Sequence, residues 1–110
     1  MAKITRITVT CYRQEDWTGT DDLDFYVDSA YLGRCTIGTG QTRDLDGSNG
    51  LYDAAWANEG QTITVYEDDM DPDDLVLSHN VSASDIQSGL TTANTSGNCS
   101  YNFAFEFVDI

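Results

Sequence analysis

The sequence predicts an all-β protein, an antiparallel β-sandwich of seven to eight strands. Short runs with an apolar residue at every second position recur at roughly 10- to 15-residue spacing, which is the period of half-buried strands. The segments between them are rich in Gly, Asn, Asp and Ser, and the chain has a single proline. Only one short stretch carries helix-start chemistry. No repeat, linker or composition shift divides the chain, so residues 1–110 read as one domain.

Taken in order, residues 4–12 alternate Ile7, Val9 and Cys11 with Thr8, Thr10 and Tyr12, a first strand. Residues 23–27 place Leu23, Phe25 and Val27 on one face and Asp24 and Tyr26 on the other. A turn at Ser29 and Ala30 leads to a third strand over 31–37, and GTGQ at 38–41 is a turn. Between Thr42 and Trp56, DLDGSNG is turn chemistry and LYDAAW is read as a strand. ITVYE alternates Ile63 and Val65 with Thr64 and Tyr66, and a further strand runs over 75–81. Residues 82–90 form the helical turn, with Ser84 as cap and Gly89 limiting its length. Gly97 with Asn98 turns the chain into a last strand that lines up Tyr101, Phe103, Phe105 and Phe107 on one deeply buried face.

Nineteen acidic residues against five basic ones give a net charge of −14. Such a balance excludes nucleic acid as a partner and any unassisted contact with anionic lipid. An even spread of charge would suit simple solubility, but 11 of the 19 acids fall in two stretches, EDWTGTDDLD at 15–24 and EDDMDPDD at 67–74. Each follows or precedes a strand. Unit charges ~4 Å apart in water repel by roughly 1 kcal/mol, so six carboxylates in eight residues call for a cation. Calcium, which takes six to eight oxygen ligands in flexible geometry, is the natural one. A linear EF-hand is excluded: counted from Asp69, the sixth position is Asp74 and the twelfth Asn80, and counted from Asp44 they are Asn49 and Ala55. The site must be discontinuous, assembled where the two stretches meet.

These residues resemble the calcium-binding C-two domains of the protein kinase C and synaptotagmin type. In that family a first loop reads Asp, two residues, Gly, two residues, Asp, and Asp16, Gly19 and Asp22 stand at this spacing. The family's third loop reads Val, aromatic, Asp, any, Asp, then a later Asp followed by apolar residues. Here Val65, Tyr66, Glu67, Asp68 and Asp69 precede Asp74, Leu75 and Val76. The match departs at Leu23 and Asp24, where a proline and an aromatic are usual, at Glu67 in place of Asp, in a gap one residue short, and at Leu77 in place of Gly. The resemblance implies a C-two-like sandwich with Asp16, Asp22, Glu67, Asp69 and Asp74 as ligands. Asp21, Asp68, Asp71 and Asp73 substitute if the register differs, and the backbone carbonyls of Trp17 and Asp68 complete the shell. Trp17, a large apolar side chain inside a charged loop, either packs down on its own loop or, with Met70 at the tip of the other loop, becomes a contact to an anionic phospholipid membrane or a protein partner.

The function expected is therefore that of a non-enzymatic calcium-binding module. The alternatives are a structural or adhesive surface or particle sandwich in which calcium only rigidifies loops, and a carbohydrate-binding sandwich using Trp56, Tyr52, Tyr31 and Tyr12. For those four aromatics, buried packing is the expectation. His79, the sole histidine, is expected in an ordinary surface or half-buried role, and no nucleophile or general base is designated by its neighbours. Cys11, Cys35 and Cys99 have no metal-ligand spacing and read as small apolar residues, with one disulfide left open. Sequons begin at Asn80, Asn94 and Asn98, with glycosylation not favoured. No signal core or membrane span is encoded, which favours a cytoplasmic or peripheral-membrane location.

Overall fold

The computed structural model describes residues 1–14, 19–52, 55–68, 74–95 and 99–110. Its strands are β1 (Ala2–Arg13), β2 (Asp21–Val27), β3 (Ala30–Ile37), β4 (Thr42–Asp46), β5 (Thr62–Glu67), β6 (Asp74–Asn80), β7 (Leu90–Asn94) and β8 (Ser100–Asp109), with one helix, α1 (Ala83–Ser88). They form two four-stranded antiparallel sheets, the first ordered β4-β1-β8-β7 and the second β3-β2-β5-β6. Alternation does the sorting. Ile7, Val9 and Cys11 of β1 and Tyr101, Phe103 and Phe105 of β8 face inward from the first sheet, and Leu23, Phe25, Ile63 and Val65 face them from the second. The sheets meet where Phe25 and Phe103 pack edge to face at 5.9 Å.

Two strands were not expected. β4 lies where turn chemistry predicts a loop, and β7 follows the helix. Both are edge strands with little to bury: Leu45 is the one buried residue of β4 and β7 has none, so neither shows an apolar alternation. The turn chemistry acts one step later, where Asp46 accepts from the Ser48 backbone and hydroxyl, both at 2.9 Å, and ends the strand. The strand expected over LYDAAW is absent from the described part of that segment. Leu51, Ala55 and Ala57 are buried there as a covering loop, and Trp56 makes only an isolated bridge to Lys3; Asp53 and Ala54 lie outside the described residues.

The helix starts one residue pair earlier than Ser84 suggests. Ser82 is its cap, accepting from Asp85 N–H while the Asp85 carboxylate accepts from Ser82 N–H, a reciprocal capping box. Gly89 ends it in the left-handed region at φ 76°. Asp85 also meets His79 Nε2 at 2.8 Å, so the box anchors α1 to β6. Burial alone would raise the Asp85 pKa, but the Ser82 N–H and His79 hold it below the ordinary value. Ser82→Ala is expected to lose about 1 kcal/mol in urea unfolding at neutral pH. Cys11 and Cys35 carry free thiols and are buried as expected, and Cys99 is half-buried. Burial pushes the Cys35 thiol up to about 11. Among the described residues no helix is long and apolar enough to cross a membrane.

Candidate functional site

The register of the second sheet brings the flanks of both acidic stretches together. Leu23 pairs with Glu67, and the Asp68 N–H donates to the Asp22 carbonyl at 2.8 Å, so the start of β2 and the end of β5 lie side by side. Glu67 in turn pairs with Asp74 at the start of β6. The described ends of the two acidic stretches, residues 19–24 and 67–68 with Asp74, about fifty positions apart in the chain, thus share one end of one sheet. The pleat then divides the carboxylates between two faces.

On the inner face, Asp21 and Glu67 are fully buried, at 0% and 1% exposure. They are diagonal neighbours across β2 and β5, about 7–8 Å apart at the backbone in such pairs. Tyr101 of β8 reaches across the sandwich and donates its hydroxyl to Asp21. Burial first, then the Asp21 acceptor, pushes the Tyr101 phenol far above its ordinary pKa. Directly across from Glu67, Asp74 belongs to the same face, but its position at the start of edge strand β6 leaves it exposed.

The outer face is organised by Arg34. Its Nε and Nη2 donate to the two oxygens of Asp24, both at 2.9 Å, and Nη2 also donates to Asp68. Asp22 lies 3.9 Å from Nη1 and accepts from the Thr36 hydroxyl at 2.6 Å. Tyr31 donates its hydroxyl to Asp24 at 3.0 Å. The Arg34 fork holds the Asp24 carboxyl below its ordinary pKa, and its own pKa is raised in return, first by the Asp24 hydrogen bonds. Tyr31 is pushed up to about 12, first by burial and then by its Asp24 acceptor. Arg34 was not a candidate in the sequence, yet it supplies part of the positive charge that the acidic stretches require.

Because Asp24 titrates lower in the folded chain, this pair stabilises at pH values above the unfolded carboxylate's pKa of ~3.9 and ceases to do so as pH falls below it. Arg34→Met is expected to lose about 1–2 kcal/mol at pH 7, less than a fully buried pair would, because the guanidinium side chain is 43% exposed. The gap between wild type and variant should close as pH falls from 5 to 2.5, read from urea midpoints.

Of the expected ligands, Asp21, Glu67 and Asp74 share the inner face, while Asp22 and Asp68 face outward around Arg34. Asp16, Asp69, Asp71, Asp73, Trp17 and Met70 lie outside the described residues. Among the described residues, no three His, Cys, Asp or Glu side chains are arranged to hold a metal ion. The expectation of buried packing for the four aromatics is corrected: Tyr12, Tyr31, Tyr52 and Trp56 are all exposed, Tyr12 on the first sheet's outer face and Trp56 under a Lys3 cation–π contact at 5.9 Å. Tyr12 and Tyr31 stand on outer strand faces with no layer above them, and Tyr52 and Trp56 lie on the loop between β4 and β5. Comparison with protein-family models, curated proteins and solved structures finds no match.

Proposed function

We propose that the protein is a non-enzymatic, C-two-like β-sandwich module that binds Ca²⁺ at the end of the second sheet. The observation that supports this is the burial of Asp21 and Glu67 on one inner face, beside the flanks of both acidic loops. Buried carboxylates are retained where they are paired or serve a cation, and an all-oxygen donor set suits a hard divalent ion. Glu67 would reach it from the end of β5, with Asp16 and Asp69 from the loops supplying the rest of the shell, since the described carboxylates alone do not form a metal group. The ion would offset the mutual repulsion of the loops and let them approach a partner or an anionic membrane.

A second reading is favoured by Arg34, which offsets part of the charge of Asp22, Asp24 and Asp68 without any ion. In it the sandwich is structural or adhesive, and calcium only stiffens the loops. Thermal unfolding with chelator, magnesium and a calcium titration tests both, since a ligand bound only to the native state must raise Tm. A calcium-selective rise abolished by Asp16→Asn with Asp69→Asn is expected. An unchanged Tm at millimolar calcium overturns the calcium site. If the rise occurs, calcium-dependent sedimentation with phosphatidylserine vesicles favours membrane docking, and its absence favours the adhesive reading.

A further inference from the structure

The outer face of the second sheet carries a row of tyrosines that the calcium reading does not use. Tyr52 meets Tyr31 at 5.5 Å, Tyr31 meets Tyr26 at 5.3 Å, and Tyr26 meets Tyr66 at 5.9 Å, so four rings run in sequence across the sheet. Successive planes are turned by 78°, 57° and 83°. The row ends in a concavity of about 430 Å³ lined by Tyr26, Asp28, Ser29, Thr64 and Tyr66. Tyr52 at its other end is 58% exposed.

Charge is divided unequally between the sheets. The strands of the first carry Lys3, Arg6, Arg13 and Arg43 against Asp44, Asp46, Glu106 and Asp109, and balance. On the outer face of the second, Asp22, Asp24 and Asp68 stand against Arg34 alone among the described residues, while Asp21 and Glu67 are turned into the core. That arginine is already forked onto Asp24 and Asp68. Asp28, at the edge of the concavity, adds one more carboxylate, whose oxygens also accept from the Thr62 N–H and the Gln61 side-chain amide, both at 3.1 Å.

We propose that this face docks an arginine-bearing basic segment of a partner protein. A guanidinium gains over the face of an exposed tyrosine within about 6 Å of the ring, and its planar fork also takes a carboxylate, so a row of rings with Asp24 beside Tyr31 and Asp28 beside Tyr26 and Tyr66 matches it on both counts. Tyrosine and arginine are the residues that most often anchor protein interfaces. The alternatives fit less well. Sugar rings stack on coplanar aromatic platforms, whereas these rings turn by up to 83°. Anionic lipid and a second copy of a chain of net charge −14 are both repelled.

The inference is independent of calcium, and its test is run in chelator at 150 mM salt. Octa-arginine and octa-lysine peptides, equal in charge, are titrated into the intact chain by calorimetry. Octa-arginine is expected to bind at least fivefold tighter. Tyr66→Leu, or the exposed Tyr52→Ala should Tyr66→Leu unfold, is expected to reduce that preference to within twofold, whereas Asp44→Asn on the first sheet leaves it intact. Equal binding of the two peptides by wild type, or a preference that the tyrosine variants do not alter, means attraction by net charge alone and overturns the proposal. Binding of a β-glucan hexasaccharide that is lost in Tyr52→Ala overturns it in favour of a sugar site.

Discussion

Gly33→Ala is expected to destabilise the protein by about 3–5 kcal/mol, lowering Tm by more than ~12 °C. Two costs combine at this position. Gly33 sits at φ 149°, where L side chains are strained, and an added Cβ would lie 2.1 Å from the Gly50 carbonyl oxygen. That oxygen is backbone, so it can withdraw only if the loop after β4 moves. The same loop places Tyr52, whose N–H donates to the Leu32 carbonyl at 2.9 Å. Urea and thermal unfolding measure the loss, and near-ultraviolet circular dichroism should report a weakened Tyr31–Tyr52 contact in whatever remains folded. A loss below 1 kcal/mol would mean that the close approach of Gly33 to Gly50 does not govern this corner of the fold.

The same residue explains why the site was only partly legible in the sequence. β2 and β3 form a hairpin in which Val27 pairs with Ala30 and Tyr26 with Tyr31. Continued without interruption, that register would set Asp24 opposite Gly33 and send Arg34 to the inner face. Instead β3 gains one residue, Phe25 pairs with Gly33, and Arg34 arrives opposite Asp24. The signal for it was present but slight, a slip in the apolar period from Leu32 to Cys35 across Gly33, and it is this slip that turns the guanidinium toward Asp22, Asp24 and Asp68. The strands that bury a full face, such as Tyr101, Phe103, Phe105 and Phe107 of β8, declared themselves by period, and the edge strands β4 and β7 did not because burial, not propensity, writes the period.

The meeting of the two acidic stretches was legible in outline, since each adjoins a strand, but their division between faces follows from registers fixed by long-range pairing. Asp21 and Asp22, adjacent in sequence and equivalent in any composition argument, end in opposite environments: one buried under Tyr101, the other half-buried on the outer face beside Arg34 and Thr36. The inner pair Asp21 and Glu67 is the stronger support for a cation, because burial makes charge expensive there. The outer group is the stronger argument for a protein surface that already balances part of its own charge.

Tyr101→Phe tests the inner face directly, with an expected loss of about 1–3 kcal/mol at pH 7. The substitution keeps the ring and its packing on Phe103, 5.7 Å away, and removes only the donor to a carboxylate that is fully buried. The effect should depend on pH with a defined sign. Tyr101 titrates far higher in the folded chain than the ~10 of an unfolded tyrosine, so its contribution is complete below pH ~10 and declines above it, as the unfolded state alone loses the proton. Wild type and Tyr101→Phe should therefore differ by a constant amount from pH 7 to 9 and converge by up to about 1.4 kcal/mol per pH unit beyond pH ~10, read from urea midpoints. A gap that stays constant to pH 11.5 would mean that the phenol ionises as readily folded as unfolded, and that Asp21 is not held by this hydroxyl. If the gap closes as expected and calcium raises the Tm of the variant by more than it raises that of wild type, the hydroxyl and the ion compete for Asp21, which puts the cation on the inner face; an equal rise in both puts it away from Asp21.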